Sequence, residues 1–259
     1  MHKVIHRSAD RGKSELGWLS SRFSFSFADY SNSKRNGFGK LLVVNDDTIA
    51  PGKGFGAHSH DNMEIITLVT KGELEHKDSL GNQKNLETGF LDVRSVPRSS
   101  EGGFQTLRHI EVLHVGEMQV MSAGRGITHS EYNHSKTTPL ELFQIWIETA
   151  RPEITPRHET RKIELKENEL TKVVSGDKKD KILFINQDAI ISLGKFGKEQ
   201  KINYSLGKNR GLFIFVIEGN VIVEDIVLSR KDSIEITDTS EIDILAKPEL
   251  YLMIVDVPL

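Results

Sequence analysis

Metal-ligand side chains spaced by a single residue constrain this chain more than any other feature. His58-Ser59-His60 and, far downstream, His129-Ser130-Glu131 each set two such groups at i and i+2. In a strand, i and i+2 share a face. If the two segments are neighbouring strands, three imidazoles and one carboxylate converge on one point. That donor set suits a divalent ion of the iron, nickel, copper or zinc kind. On a centre that prefers six ligands, positions stay free for chemistry. Gly124-Arg125-Gly126 gives a tight turn from which Ile127 and Thr128 deliver His129. Glu64, four residues beyond His60, is a second candidate carboxylate, and spacing alone does not choose between it and Glu131.

The chain has no cysteine, so thiolate ligands and disulfides are excluded and any metal must take nitrogen and oxygen donors. That suits a reducing compartment, and the cytoplasm is expected. Met1 to Gly17 is charged without an apolar centre, unlike a signal peptide. No stretch approaches the ~20 apolar residues of a spanning helix. A net charge of -3, with only short basic pairs at Lys34-Arg35 and Lys178-Lys179, gives no reason to expect nucleic acid or a membrane as partner. The Gly52-Lys53-Gly54-Phe55-Gly56 run reads as a turn, because no helix or phosphate-binding lysine follows it.

The punctuation is that of an all-β protein. Ser21 to Phe27 alternates strictly, which predicts one face for Phe23, Phe25 and Phe27. Strands are predicted over Glu64–Thr70, Glu73–Asp78, Met118–Met121 and Leu142–Ile147, with a turn at Lys71-Gly72. Ile163 to Leu170 reads as a short helical turn. Two prolines between Arg151 and Arg157 mark a linker, giving domains 1–150 and 151–259. Leu68–Leu74 resembles Phe215–Val221, and Val115–Val120 resembles Arg230–Glu235, so two copies of a β-barrel unit are expected. All 10 histidines lie at or before His158, which confines a histidine metal site to the first copy. His76 is read as facing either pocket or solvent. His2, His6 and His158 are read as surface, and His109, His114 and His134 as filler positions.

These segments resemble the cupin superfamily and, within it, the pirin family of two-domain cupins. The likeness rests on Gly52, the His58-Ser59-His60 triplet, Glu64 and the turn at Gly72. It continues at Gly116 and in Ser122-Ala123-Gly124-Arg125-Gly126-Ile127-Thr128-His129-Ser130-Glu131. Glu73 to Asn82 and Gly17 to Tyr30 are similar as well. The resemblance implies two tandem cupin domains, antiparallel β-barrels of jelly-roll kind packed face to face, with metal only in the first. It implies His58, His60, His129 and Glu131 as ligands, and Glu64 as a residue supporting them. The chain departs from the pattern in a longer segment from Lys84 to Ile110, which would be a lid or a surface decoration.

The resemblance further implies one divalent transition metal, iron first, with nickel, copper, cobalt or zinc as alternatives. It implies a dioxygenase like quercetin 2,3-dioxygenase, taking a small aromatic, flavonol-like substrate and O2. Glu131 would be the catalytic proton acceptor, with walls from Phe55, Leu68, Met121 and Trp146. The competing readings are a non-enzymatic, redox-sensing or transcription-regulatory protein with a protein partner, and a structural metal brace. A monomer is expected, since two fused barrels bury their own interface.

Overall fold

The computed structural model describes residues 1–80 and 109–259. The lid expectation for Lys84 to Ile110 therefore lies, except for its last two residues, outside the described residues. Strands in the first half are β1 (His2–His6), β2 (Gly12–Glu15), β3 (Leu19–Phe23), β4 (Leu41–Ile49), β5 (Gly54–His60), β6 (Met63–Lys71), β7 (Glu73–Asp78), β8 (His109–His114), β9 (Glu117–Ser122), β10 (Ile127–Asn133) and β11 (Leu140–Glu148). The rest are β12 (Arg157–Lys162), β13 (Leu170–Ser175), β14 (Leu183–Phe184), β15 (Ile190–Phe196), β16 (Gln200–Ser205), β17 (Arg210–Glu218), β18 (Asn220–Val223), β19 (Ile226–Ser229), β20 (Ser233–Thr237), β21 (Glu241–Ala246) and β22 (Leu250–Pro258).

The expected repeat is present, with the outermost strands of the large sheets differing between the halves. One seven-stranded sheet runs β12-β9-β6-β11-β4-β3-β2 and faces a four-stranded sheet β5-β10-β7-β8. The second half repeats this as β1-β20-β17-β22-β15-β13-β14 and β16-β21-β18-β19. The turn glycines match too: Gly72 and Gly219 take φ of +78° and +81°. At Gly219 a Cβ would lie 2.6 Å from the Glu249 carbonyl oxygen, whereas at Gly116 nothing lies within 4 Å. Gly219→Ala is expected to lower stability by about 2 kcal/mol and Gly116→Ala by about 1 kcal/mol. Equal urea midpoints for the two variants would show that the backbone at Glu249 yields.

Closed barrels were expected, and the sheets correct that. Among the described residues the four-stranded sheet ends at β5 and β8, and neither strand pairs with the seven-stranded sheet. Among the described residues each half is thus a two-sheet sandwich with no continuous hydrogen-bond ladder between its sheets. The strands are also not all antiparallel, since β13 and β14 pair in parallel. The halves exchange edges: β1 pairs with β20 of the second large sheet, and β12 pairs with β9 of the first.

The two large sheets pack face to face on one hydrophobic cluster. Phe25, Ile66, Leu68, Phe143 and Ile145 from the first half meet Val174, Ile191, Phe213, Phe215 and Val255 from the second. Two local expectations fail here. β3 stops at Phe23, after which Phe25 turns into this seam while Phe27 packs on Trp146 at 5.4 Å. Strand pairing ends at Phe23, and Ala28, at φ 49°, later turns the chain between Phe27 and Tyr30. Ile163 to Leu170 is not helical, and the helical elements among the described residues are 3-10 turns at Ser8–Asp10 and Lys178–Asp180.

Candidate metal centre

The other face of the first large sheet looks into its own sandwich. Asn45, Gln144, Thr67 and Gln119 stand opposite one another across β4, β11, β6 and β9. Directly paired residues share a face, so these four form a polar belt through the interior. Apolar groups cap it on both sides: Ile49, Val69, Leu74 and Leu142 with Phe55 on one, Ile65, Met121 and Ile127 with Trp146 on the other. Asn45 Oδ1, Asp47 Oδ1, Thr67 Oγ1, Gln119 Nε2 and Gln144 Oε1 are buried without a hydrogen-bond partner among the described residues. Buried polar groups are ordinarily paired, so this belt is built to receive water or a bound molecule. Of the expected walls, Phe55, Met121 and Trp146 flank the belt, while Leu68 points to the seam between the halves.

β5 and β10 carry the period-two dyads and pair antiparallel, with His129 opposite His58. Ligand nitrogens of His58, His60 and His129 lie within 4.8 Å of one another, and His58 is the least covered of the three. An irregularity in the β5 pairing between His129 and Glu131 shifts Glu131 opposite Phe55. Within that bulge the His58 Nδ1–H donates to the Gly56 carbonyl at 2.8 Å, which leaves Nε2 with a free lone pair. Burial first, then the neighbouring imidazoles, lowers His60 to about 4 and His129 to about 2. Both rings are therefore neutral near pH 7, the form that binds metals. His129 Nε2 is buried and has no partner among the described residues. An unpaired buried imidazole nitrogen beside two others fits a transition ion.

Glu131 lies on the same strand, but its carboxylate is not among the three converging histidines. It is buried, and both its oxygens accept from Gln144 Nε2 at 2.9 Å. Burial, opposed by the Gln144 amide and reinforced by Asp47, pushes its carboxyl up to about 7. Gln144 is the residue the sequence reading missed. Its signal was a glutamine in an otherwise apolar strand, Leu142-Phe143-Gln144-Ile145.

Glu64 does not support the histidines. It sits on the seam side of β6, where it accepts from Ser122 Oγ at 2.6 Å and from Asn186 Nδ2 of the second half at 3.3 Å. His76 points inward, with Nε2 3.1 Å from His129 Nδ1. His6, read as surface, is buried against Glu235 at 2.7 Å. His158, also read as surface, has a side chain only 10% exposed.

A two-half β fold with three histidines on β5 and β10 has close counterparts. The family described as pirin matches residues 5–96 and 105–147, and the quercetinase C-terminal cupin domain matches residues 172–257. The chain belongs to the pirin family. It is 35% identical over 254 residues to the quercetin 2,3-dioxygenase of Escherichia coli (strain K12), covering 98% of each chain. A pirin-like protein of Caulobacter vibrioides is 33% identical over 248 residues, covering 95% of each. The bacterial pirin YhhW from Escherichia coli, in complex with nickel(II), superposes with a TM-score of 0.85 at 34% identity over 99% of both chains. In this pirin, the first sandwich supplies a site for a single divalent transition metal.

Proposed function

We propose that this pirin is a metal-dependent dioxygenase that cleaves flavonols such as quercetin with O2. The observation that carries the reading is the convergence of three neutral imidazoles, with unpartnered His129 Nε2, at the mouth of a polar belt. The similarity to a quercetin 2,3-dioxygenase over nearly the whole chain supports it. In this reading His58, His60 and His129 hold the ion and Glu131 completes the donor set.

A divalent ion held there supplies Lewis acidity that lowers the pKa of a substrate hydroxyl. The remaining work falls to the protein. Glu131 would take the hydroxyl proton when its own hold on the ion loosens. Gln144 fixes its carboxylate from below, and the belt amides offer hydrogen bonds to a polyhydroxylated ring. Trp146, edge-on to His60 at 4.8 Å, and Phe55 give the apolar walls a flat aromatic substrate needs. The same reading takes residues 1–150 and 151–259 as the two units, a single chain as the working form and the cytoplasm as compartment. Among the described residues no helix is long and apolar enough to cross a membrane.

The test is oxygen uptake by protein reconstituted anaerobically with iron(II), nickel(II), copper(II) or cobalt(II), with quercetin added. Uptake matched by carbon monoxide release, and lost in His58→Ala, is the expected result. Tight metal binding without oxygen consumption would sink the enzymatic reading in favour of a binding protein.

A further inference from the structure

A second group of metal-binding side chains lies behind His129, on the side away from His58 and His60. His76 and Asp78 come from β7, His109 from the edge strand β8, and His158 from β12 at the edge of the facing sheet. One ligand atom from each lies within 4.8 Å of the others. The four residues thus span the gap where the sandwich is not closed by backbone hydrogen bonds.

Their local geometry is that of a prepared site. Asp78 is fully buried; its Oδ1 accepts from the Leu80 amide at 2.8 Å, while Oδ2 faces His109 Nδ1 at 3.2 Å and His76 Nδ1 at 3.8 Å. His76 is fully buried, and its Nδ1 has no hydrogen-bond partner among the described residues. The His76 and His158 rings stack at 5.0 Å with 6° between their planes. His158 Nε2 lies 3.2 Å from the Glu111 carboxylate. An ordinary His109–Asp78 ion pair explains two of these residues. It does not explain the fully buried His76 beside it, whose Nδ1 has no hydrogen-bond partner among the described residues, or the half-buried His158 stacked on that ring.

We propose that His76, Asp78, His109 and His158 form a second divalent transition-metal site, distinct from the His58, His60 and His129 cluster. Three imidazoles and one carboxylate are the donor set of zinc-, cobalt- and nickel-type ions. An ion there ties β7 and β8 to β12 across the open edge. The two sites meet at the hydrogen bond between His129 Nδ1 and His76 Nε2. A neutral imidazole has one N–H, so ligation of His129 through Nε2 leaves the His76 proton on Nδ1. Filling the second site through that nitrogen displaces the proton, so the two ions oppose each other.

Because of that opposition, the test is made in a chain lacking the first cluster. Metal-free His58→Ala/His60→Ala protein is titrated with cobalt(II), reading bound equivalents after dialysis and the visible d–d absorption. The expected result is one equivalent retained, a higher melting temperature with the ion, and loss of both when either His109→Ala or His158→Gln is added. The proposal is overturned if the double variant, with its circular dichroism unchanged, retains no cobalt. Retention undiminished by His109→Ala and by His158→Gln overturns it equally.

Discussion

Glu131→Gln is expected to lower flavonol turnover by roughly 10²–10⁴-fold while making the metal-free protein more stable at pH 8. The two effects have one origin. The folded chain holds this carboxyl at about 7, against an ordinary 4.5, because burial penalises the charge. Between these values the folded state keeps a proton that the unfolded chain has released. Stability therefore falls as pH rises through that window, and above pH 7 the buried charge costs about 3 kcal/mol. Glutamine has the same shape and carries no charge, and its side-chain oxygen can still accept from Gln144. The variant should match the parent near pH 4 and exceed it in urea midpoint at pH 8. A metal ion beside the carboxylate opposes this cost, so the parent regains stability on reconstitution and the variant regains less. If the metal-free parent is as stable at pH 8 as at pH 5, the buried carboxylate is solvated in a way its burial does not indicate.

Much of this site was legible in sequence because a strand has an exact period. His58, His60 and His129 come together because β5 and β10 are neighbours, while the Glu131 carboxylate lies apart on Gln144. The glycine turn before His129 was readable for a similar reason: Gly124 has φ of +50°, and a Cβ there would meet the Ile154 carbonyl at 2.1 Å. What was not legible depends on contacts between segments distant in sequence. His76 was read as ambiguous because alternation gives two faces without saying which is inside. His158 was read as surface, yet β12 crosses to the first sheet. Glu64 was drawn toward the histidines by its spacing from His60. The pleat of β6 turns it the other way, toward Asn186. Barrel closure was the largest overreach, since hydrophobic alternation specifies two packed faces but says nothing about whether the sheet edges join.

Phe143→Ala is expected to cost about 3–5 kcal/mol and to unfold both halves together. Phe143 is fully buried on β11, its ring 5.4 Å from Phe215 across the seam, with Lys231 Nζ 4.4 Å from the ring centroid. Truncation therefore removes a contact that belongs to neither half alone, and the two large sheets share one apolar cluster around it. The exchanged edge strands reinforce the coupling. If the second sandwich unfolds, β1 loses its partner β20; if the first unfolds, β12 loses β9. Independent melting of the halves would leave both strands unpaired. One cooperative transition is thus expected in urea, with tryptophan fluorescence from Trp18 and Trp146 of the first half coinciding with far-ultraviolet circular dichroism of the whole. In the variant the midpoint moves but the probes should still coincide. Two separated transitions in the parent would mean that the seam is a docking contact between independently stable sandwiches. The second half would then be an attached domain rather than the support on which the metal-bearing sandwich is built.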